Sequence, residues 1–455
     1  MNSEALTMVR FPQSMTRFVA ILGMVLLLAI PAATASIAAA TSETGTATGG
    51  SFREVARLAK QGRFEEAEAL RQEGLSAGIH SPDDALFLQG LIAVNRGDAA
   101  VAEEIFRRLL DADSDRRLVR LELVHALMAR GSFTAARFHL GRLQGAETDR
   151  RLSAYYYRLD REITRQRPWG ARFSGSLAPR TNASRGSSED VIMVGDMPFR
   201  INDEAKARSG VGFEFDGELS WQFLLSDTTT LTLAGFSRGV AYDESELGSI
   251  EVGGNATLRR FLSPRSFFDV GIERSRIYAG GDPYADNVTG LGAFSFMLLD
   301  HLQIATAGRV THVDYSDHPR PDGLRSSGSV RATYAIGPGL ALGAYVSATR
   351  DRSGYDHQRF DGREVGATLY AELPFSLTAE VVAGIGERSF DADYPGQTFA
   401  RHDTYGRVST RVLKRDWAIE GFAPAISLSY EIQDSNVAFK TYDDIGFSLG
   451  LARSF

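Results

Sequence analysis

The chain has 455 residues, 50 of them basic and 57 acidic, a net charge of −7, and no cysteine. A mildly acidic balance offers nothing to a nucleic acid, and the lack of cysteine excludes disulfides, thiolate catalysis, thiolate metal sites and a lipid anchor on the chain's own N-terminal cysteine. A hydrophobic content of 43% with a mean hydropathy of −0.16 excludes a helical membrane bundle, but not a β-barrel, whose strands are apolar on one face only.

The N-terminus reads as an export signal. Arg10 and Arg17 supply positive charge, residues 18–31 form an apolar stretch too short to span a bilayer well, and Ala33-Thr34-Ala35 is a small-x-small cleavage site before Ser36. Residues 1–35 are thus expected to be a signal peptide. Residues 36–50, rich in Ala, Thr, Ser and Gly, are expected to be a disordered linker.

Over residues 51–167 the apolar period is helical. Gly62, Gly97 and Gly131 recur at 34–35 residues, each followed five positions later by alanine at 67, 102 and 136. This is the repeat length of tetratricopeptide helical hairpins. The glycine permits the tight turn inside a hairpin, and the alanine lets its two helices approach. Residues 84–95, 99–110 and 118–129 are amphipathic, and Ser81-Pro82-Asp83-Asp84 is a helix start. A periplasmic helical module that binds a protein segment is expected. His80, His125 and His139 fall on different repeats without ligand spacing and read as packing or surface residues.

After Arg167-Pro168-Trp169 the period becomes two, and residues 168–455 read as a barrel of about fourteen strands. Val211, Phe213, Phe215, Leu219, Trp221 and Phe223 alternate with Gly212, Glu214, Asp216, Glu218, Ser220 and Gln222. The connections alternate as well. Short ones lie near 226–228, 263–265, 300–301, 337–339, 374–375 and 415–416, with longer polar ones between, as in an outer-membrane barrel with short periplasmic turns and long outer loops. Charges on the inward side, among them Glu214, Asp216, Glu251, Arg259, Glu364, Glu372, Glu380 and Arg411, are expected to pair across strands and brace the wall. The first outer loop carries an apolar patch, with Val191, Ile192, Met193 and Phe199 as candidate passenger contacts or a plug. The final stretch places Ile445, Phe447, Leu449, Leu451 and Phe455 on one face and small residues on the other. Phe447, Leu449, Leu451 and Phe455 are the expected signal for the barrel assembly machinery. The first strand is short and rich in Gly and Ser, so its pairing with the last is expected to be weak.

The architecture is α+β and multidomain: a signal, a small helical repeat module, then an antiparallel transmembrane barrel ending on Phe455. It resembles the surface lipoprotein assembly modulator (Slam) family of Gram-negative bacteria. The residue-level marks are Arg167-Pro168-Trp169, the run from Leu177 through Ala178, Pro179, Arg180 and Thr181 to Asn182, and the closing run from Leu449 to Phe455. The resemblance implies an outer-membrane translocator that delivers a protein passenger, either a lipoprotein or a secreted haem- or metal-acquisition protein, to the cell surface. It brings no catalytic residue, cofactor or metal. Outer-membrane lipid and the barrel assembly machinery are the other expected partners; nucleic acid is not. The passenger route is either the lumen or the first-to-last strand seam. The alternative is an outer-membrane channel or porin for small molecules or polysaccharide, with the repeats as a docking module. An outer-membrane enzyme would need a rim constellation, for which His312, Asp314, His318 and His357 are the only material.

Overall fold

In a computed structural model, residues 49–147, 149–187, 189–194, 197–316, 320–417 and 422–453 are described. The expected signal peptide, most of the linker, His318 and Phe455 lie outside them. Among the described residues seven α-helices come first: α1 (Gly49–Lys60), α2 (Phe64–Ser76), α3 (Pro82–Arg96), α4 (Ala99–Ala112), α5 (Arg117–Ala129), α6 (Phe133–Ala146) and α7 (Arg150–Gln166). Gly62, Gly97 and Gly131 sit in the turns α1–α2, α3–α4 and α5–α6 with φ of 76°, 97° and 72°, the left-handed region that a side chain resists. The alanines that follow, 67, 102 and 136, are fully buried, so each hairpin closes as the repeat predicts. Ser81 caps α3 through a reciprocal box with Asp84, and Pro82 occupies the first turn. Leu88, Phe106, Leu123, Leu127, Leu140 and Ile163 form the core of the stack.

Pro168 cannot continue α7. The chain turns at Arg167, whose guanidinium lies over the Trp169 ring at 4.2 Å, and enters the barrel. The strands are β1 (Trp169–Arg180), β2 (Val191–Val194), β3 (Met197–Arg200), β4 (Gly210–Ser226), β5 (Thr229–Tyr242), β6 (Ser249–Ser263), β7 (Ser266–Ala279), β8 (Asp282–Leu299), β9 (Leu302–Tyr315), β10 (Gly323–Gly337), β11 (Leu340–Asp351), β12 (Phe360–Leu373), β13 (Leu377–Asp393), β14 (Ala400–Lys414), β15 (Phe422–Ser435) and β16 (Tyr442–Arg453). Fourteen of them, all but β2 and β3, close an antiparallel barrel in which β16 pairs with β1. At 12 to 18 residues, the barrel strands exceed the roughly 9–11 needed to cross a bilayer. The apolar parity faces outward. Leu219, Val270, Ile272, Val346, Leu449 and Leu451 are all more than half exposed. That exposure suits a lipid-facing wall and no aqueous one. Trp169 and Trp221 are cross-strand partners near the short-turn end, where an aromatic girdle belongs.

The short/long rhythm holds with one departure. The β14–β15 connection is longer than expected: a 3-10 turn at Arg415–Trp417 precedes Phe422. The first outer loop forms the hairpin β2–β3.

Candidate functional site

Two places set this barrel apart from a plain pore: the short-turn mouth and the β1–β16 seam.

At the mouth, the helices reach turns on opposite sides of the ring. On one side α7 touches the β4–β5 turn. The Tyr157 hydroxyl donates to the Asp227 carbonyl, the Arg161 guanidinium to the Ser226 carbonyl and, at 3.1 Å, to the Thr230 hydroxyl. Tyr157 also stands edge-on to Phe261 of β6 at 4.8 Å. Across the ring, Ser376 in the β12–β13 turn donates to the Asp111 carboxylate at 2.7 Å, and the Gly339 amide donates to Asp115 at 3.3 Å. The helical core is continuous with the inward faces of Leu413, Ala423, Ala425 and Ala452 on β14, β15 and β16.

The centre of this contact is ionic. Arg120 of α5, with no exposed surface, donates to both oxygens of Glu372 on β12 at 3.1 and 2.8 Å. Arg415 approaches the same carboxylate at 3.0 Å. Arg120 also donates to His139 Nδ1 at 3.2 Å, which fixes that imidazole as a neutral acceptor. Burial, and then the positive charges of Arg120, Arg107, Arg415 and Arg142, hold the His139 pKa well below its ordinary value. Glu372 was expected to brace the wall from strand to strand. Instead, among the described residues it pairs with a helix residue and with the residue following β14. One inward Glu at a strand end gives no sign that its partner lies 252 positions away.

The other inward charges do brace the wall. Arg259 grips Asp269 with two bonds of 2.8 and 2.9 Å. Arg238 meets Glu251 at 2.9 Å and Arg309 meets Glu273 at 2.7 Å. Arg172 reaches Asp216 and Glu218, and Glu364 receives Arg407, Tyr345 and Tyr405. Glu380 and Arg411 face each other across β13–β14, yet form no ion pair among the described residues.

The seam is uneven along its length. β1 pairs with β4 from Trp169 to Arg180, but with β16 only from Ser174 to Leu177 and again at Arg180. Pro179 has no amide to give. Ser174 and Ser176 lie opposite Ala452 and Gly450, so the inner face has little side-chain packing. A Cβ on Gly450 would fall 2.1 Å from the Gly175 carbonyl oxygen; the close approach demands glycine. The outer end is latched instead. Buried Asp444 of β16 receives Arg180 at 2.7 Å, the Thr181 hydroxyl at 3.3 Å and the Asn182 amide at 2.9 Å. Asn182 Nδ2 donates to the Asp443 carbonyl at 3.2 Å. The sequence marks Arg180, Thr181 and Asn182 thus converge on one carboxylate, which sequence reasoning did not single out.

Val191, Met197 and Phe199 of the hairpin are 46–62% exposed among the described residues. The backbones of Ile192 and Met193 pair with Phe199 and Pro198. Phe447, Leu449 and Leu451 face outward on β16, and Phe455 lies outside the described residues. His80, His125 and His139 are packing residues, bonded to Ser51, Tyr155 and Arg120. His312 and Asp314 lie on β9, while His357 sits beside Tyr355 and Tyr394 in the β11–β12 loop.

No curated protein matches the sequence. Among solved structures, a Pseudomonas aeruginosa FadL homologue aligns at 10% identity over 64% of this chain and 91% of its own, TM-score 0.36. The TodX monoaromatic hydrocarbon channel aligns at 9% over 63% and 90%, TM-score 0.38. The Acinetobacter baumannii outer-membrane channel DcaP aligns at 10% over 62% and 96%, TM-score 0.36. A family profile, surface lipoprotein assembly modifier, matches residues 169–455, the whole barrel and more than half of the chain. The chain therefore belongs to the surface lipoprotein assembly modifier family and is an outer-membrane β-barrel protein.

Proposed function

We propose that this protein is a non-enzymatic translocator. It delivers specific lipoproteins, or secreted haem- or metal-acquisition proteins, to the cell surface, and its helical module lies in the periplasm. One observation carries the reading: the module straddles the short-turn mouth, held at turns on opposite sides of the ring. A solute pore gains nothing from an obstruction there, whereas a translocator needs a grip at its entrance. The thinly packed seam gives a passenger a way past the closed wall, and the exposed hairpin residues Val191, Met197 and Phe199 offer an apolar contact on the outside.

The experiment is deletion of the gene, followed by quantitative comparison of surface-exposed and secreted proteins. The expected result is loss of one or a few proteins, restored by the wild-type gene and only weakly by a gene lacking residues 189–200. Unchanged surface proteins with altered solute uptake would replace this reading with that of a channel.

A further inference from the structure

A cavity of about 540 Å³ lies where α6 meets the inner wall of the barrel, within the roughly 300–1,000 Å³ of sites that enclose a ligand. Its apolar lining includes Phe138 from the helix and Leu413 and Ala452 from β14 and β16. Its polar lining is unbalanced, four arginines against the two carboxylates of Asp216 and Glu380, the latter opposite Arg411 without an ion pair among the described residues. Arg172 and Arg415 have carboxylate partners. Arg142 and Arg411 have none among the described residues: Arg142 lies over the Tyr370 ring at 3.3 Å, and Arg411 is exposed toward the lumen. The Thr378 hydroxyl, also in the lining, is buried without a hydrogen-bond partner.

Two guanidiniums without an ion pair, a hydroxyl without a hydrogen-bond partner and an aromatic-aliphatic floor describe the complement of a carboxylate-bearing, partly apolar chain. Guanidinium forks bind carboxylates with two parallel bonds, and a hydroxyl can donate to a peptide carbonyl. The cavity opens on the inner face of the barrel beside Ser174 of β1 and Ala452 of β16, the seam strands. That inner location favours polypeptide over membrane lipid, which meets the outer face. Resting on the translocator reading, we propose that this cavity is the entry subsite for the passenger. It holds an extended acidic segment flanked by aromatic or aliphatic residues. Arg142 and Arg411 take its carboxylates, Thr378 takes its backbone, and Phe138 and Leu413 take its apolar side chains.

The test uses purified full-length protein in neutral detergent and a fluorescent ten-residue peptide alternating Glu with Phe and Leu. A second peptide carries Gln for every Glu. Wild type is expected to bind the Glu peptide at least about tenfold more tightly than the Gln peptide, with an affinity that falls as salt rises. Arg411→Gln, at an exposed position without an ion pair, should erase that preference while leaving the heat-modified gel mobility of the barrel intact. Arg411→Glu should reverse it. Equal binding of the two peptides by wild type, or an unchanged preference in both variants, overturns the proposal. So does displacement of the Glu peptide by phosphatidylglycerol micelles at matched charge, which would make the cavity a lipid site. These measurements need no translocation. A gene deletion that leaves surface proteins unchanged would remove the translocator reading alone, and a failed peptide preference would remove the subsite alone.

Discussion

Arg120 carries the largest stake of any single side chain. Its charge is wholly buried and answered by Glu372, whose side chain is 1% exposed. Removing one member of such a pair strands the other in a medium that solvates it poorly, at about 3–5 kcal/mol. Arg120→Ala and Glu372→Gln should each release the helices from the barrel, read as rapid protease cleavage near residue 167 while the barrel resists. Because Arg120 also bonds His139, the stability of the helices responds to pH. The folded imidazole is held neutral, with its pKa well below the ordinary value; in the unfolded chain it titrates near 6.5. Above about pH 6.5 neither state binds the proton, and the helices have their full stability. Below it the unfolded state gains a proton that the folded state refuses, so stability falls by up to about 1.4 kcal/mol per pH unit until the lowered pKa is reached. The helical melting temperature should therefore drop between pH 7.5 and 5.5, and His139→Gln should flatten that slope even if it lowers the starting value. A slope unchanged by the substitution would place the titrating group elsewhere.

At the scale of elements, the seam is where pairing is thinnest. On the inner face small residues oppose one another between the outer latch and the end of β16, and one missing amide interrupts the ladder at Pro179. The chain has no cysteine, so an introduced pair has no competitor. Ser174→Cys with Ala452→Cys joins residues directly opposite each other, a separation suited to a disulfide. If passengers leave sideways, oxidised cells should stop delivering them and dithiothreitol should restore delivery; uninterrupted delivery would assign the route to the lumen. Much of this element was legible beforehand. The Gly/Ser content of β1 foretold weak pairing, and the outward parity of Ile445, Phe447, Leu449 and Leu451 followed from alternation alone. The latch was not legible. Asp443 and Asp444 are adjacent acids in a strand that begins at a polar loop, and only the three-dimensional register decides which one turns inward to Arg180. The repeat glycines were readable because a left-handed turn leaves few alternatives. The mouth cavity was unreadable because its lining comes from α6, β1, β4, β12, β13, β14 and β16 at once.

At the scale of the whole molecule, the helices and the barrel form one continuous contact surface. The bonds that hold the mouth come from the β4–β5 turn, near the start of the barrel sequence, and from the β10–β11, β12–β13 and β14–β15 connections, in its second half. Arg120 and Glu372 are separated by 252 positions, and neither can gain from the other until the intervening strands have been laid down, since the entropy of closing so long a loop is met before any bond repays it. The order of events at the membrane follows. The stacked hairpins, built from local contacts, can fold before the ring is complete, and they hang loose while strand after strand is added. The second hand finds a first hold at the β10–β11 turn, and its grip is complete only when the last connections arrive. A clasped mouth is thus a certificate of completion: a half-built ring leaves its guard dangling, within reach of any protease that patrols for unfinished work.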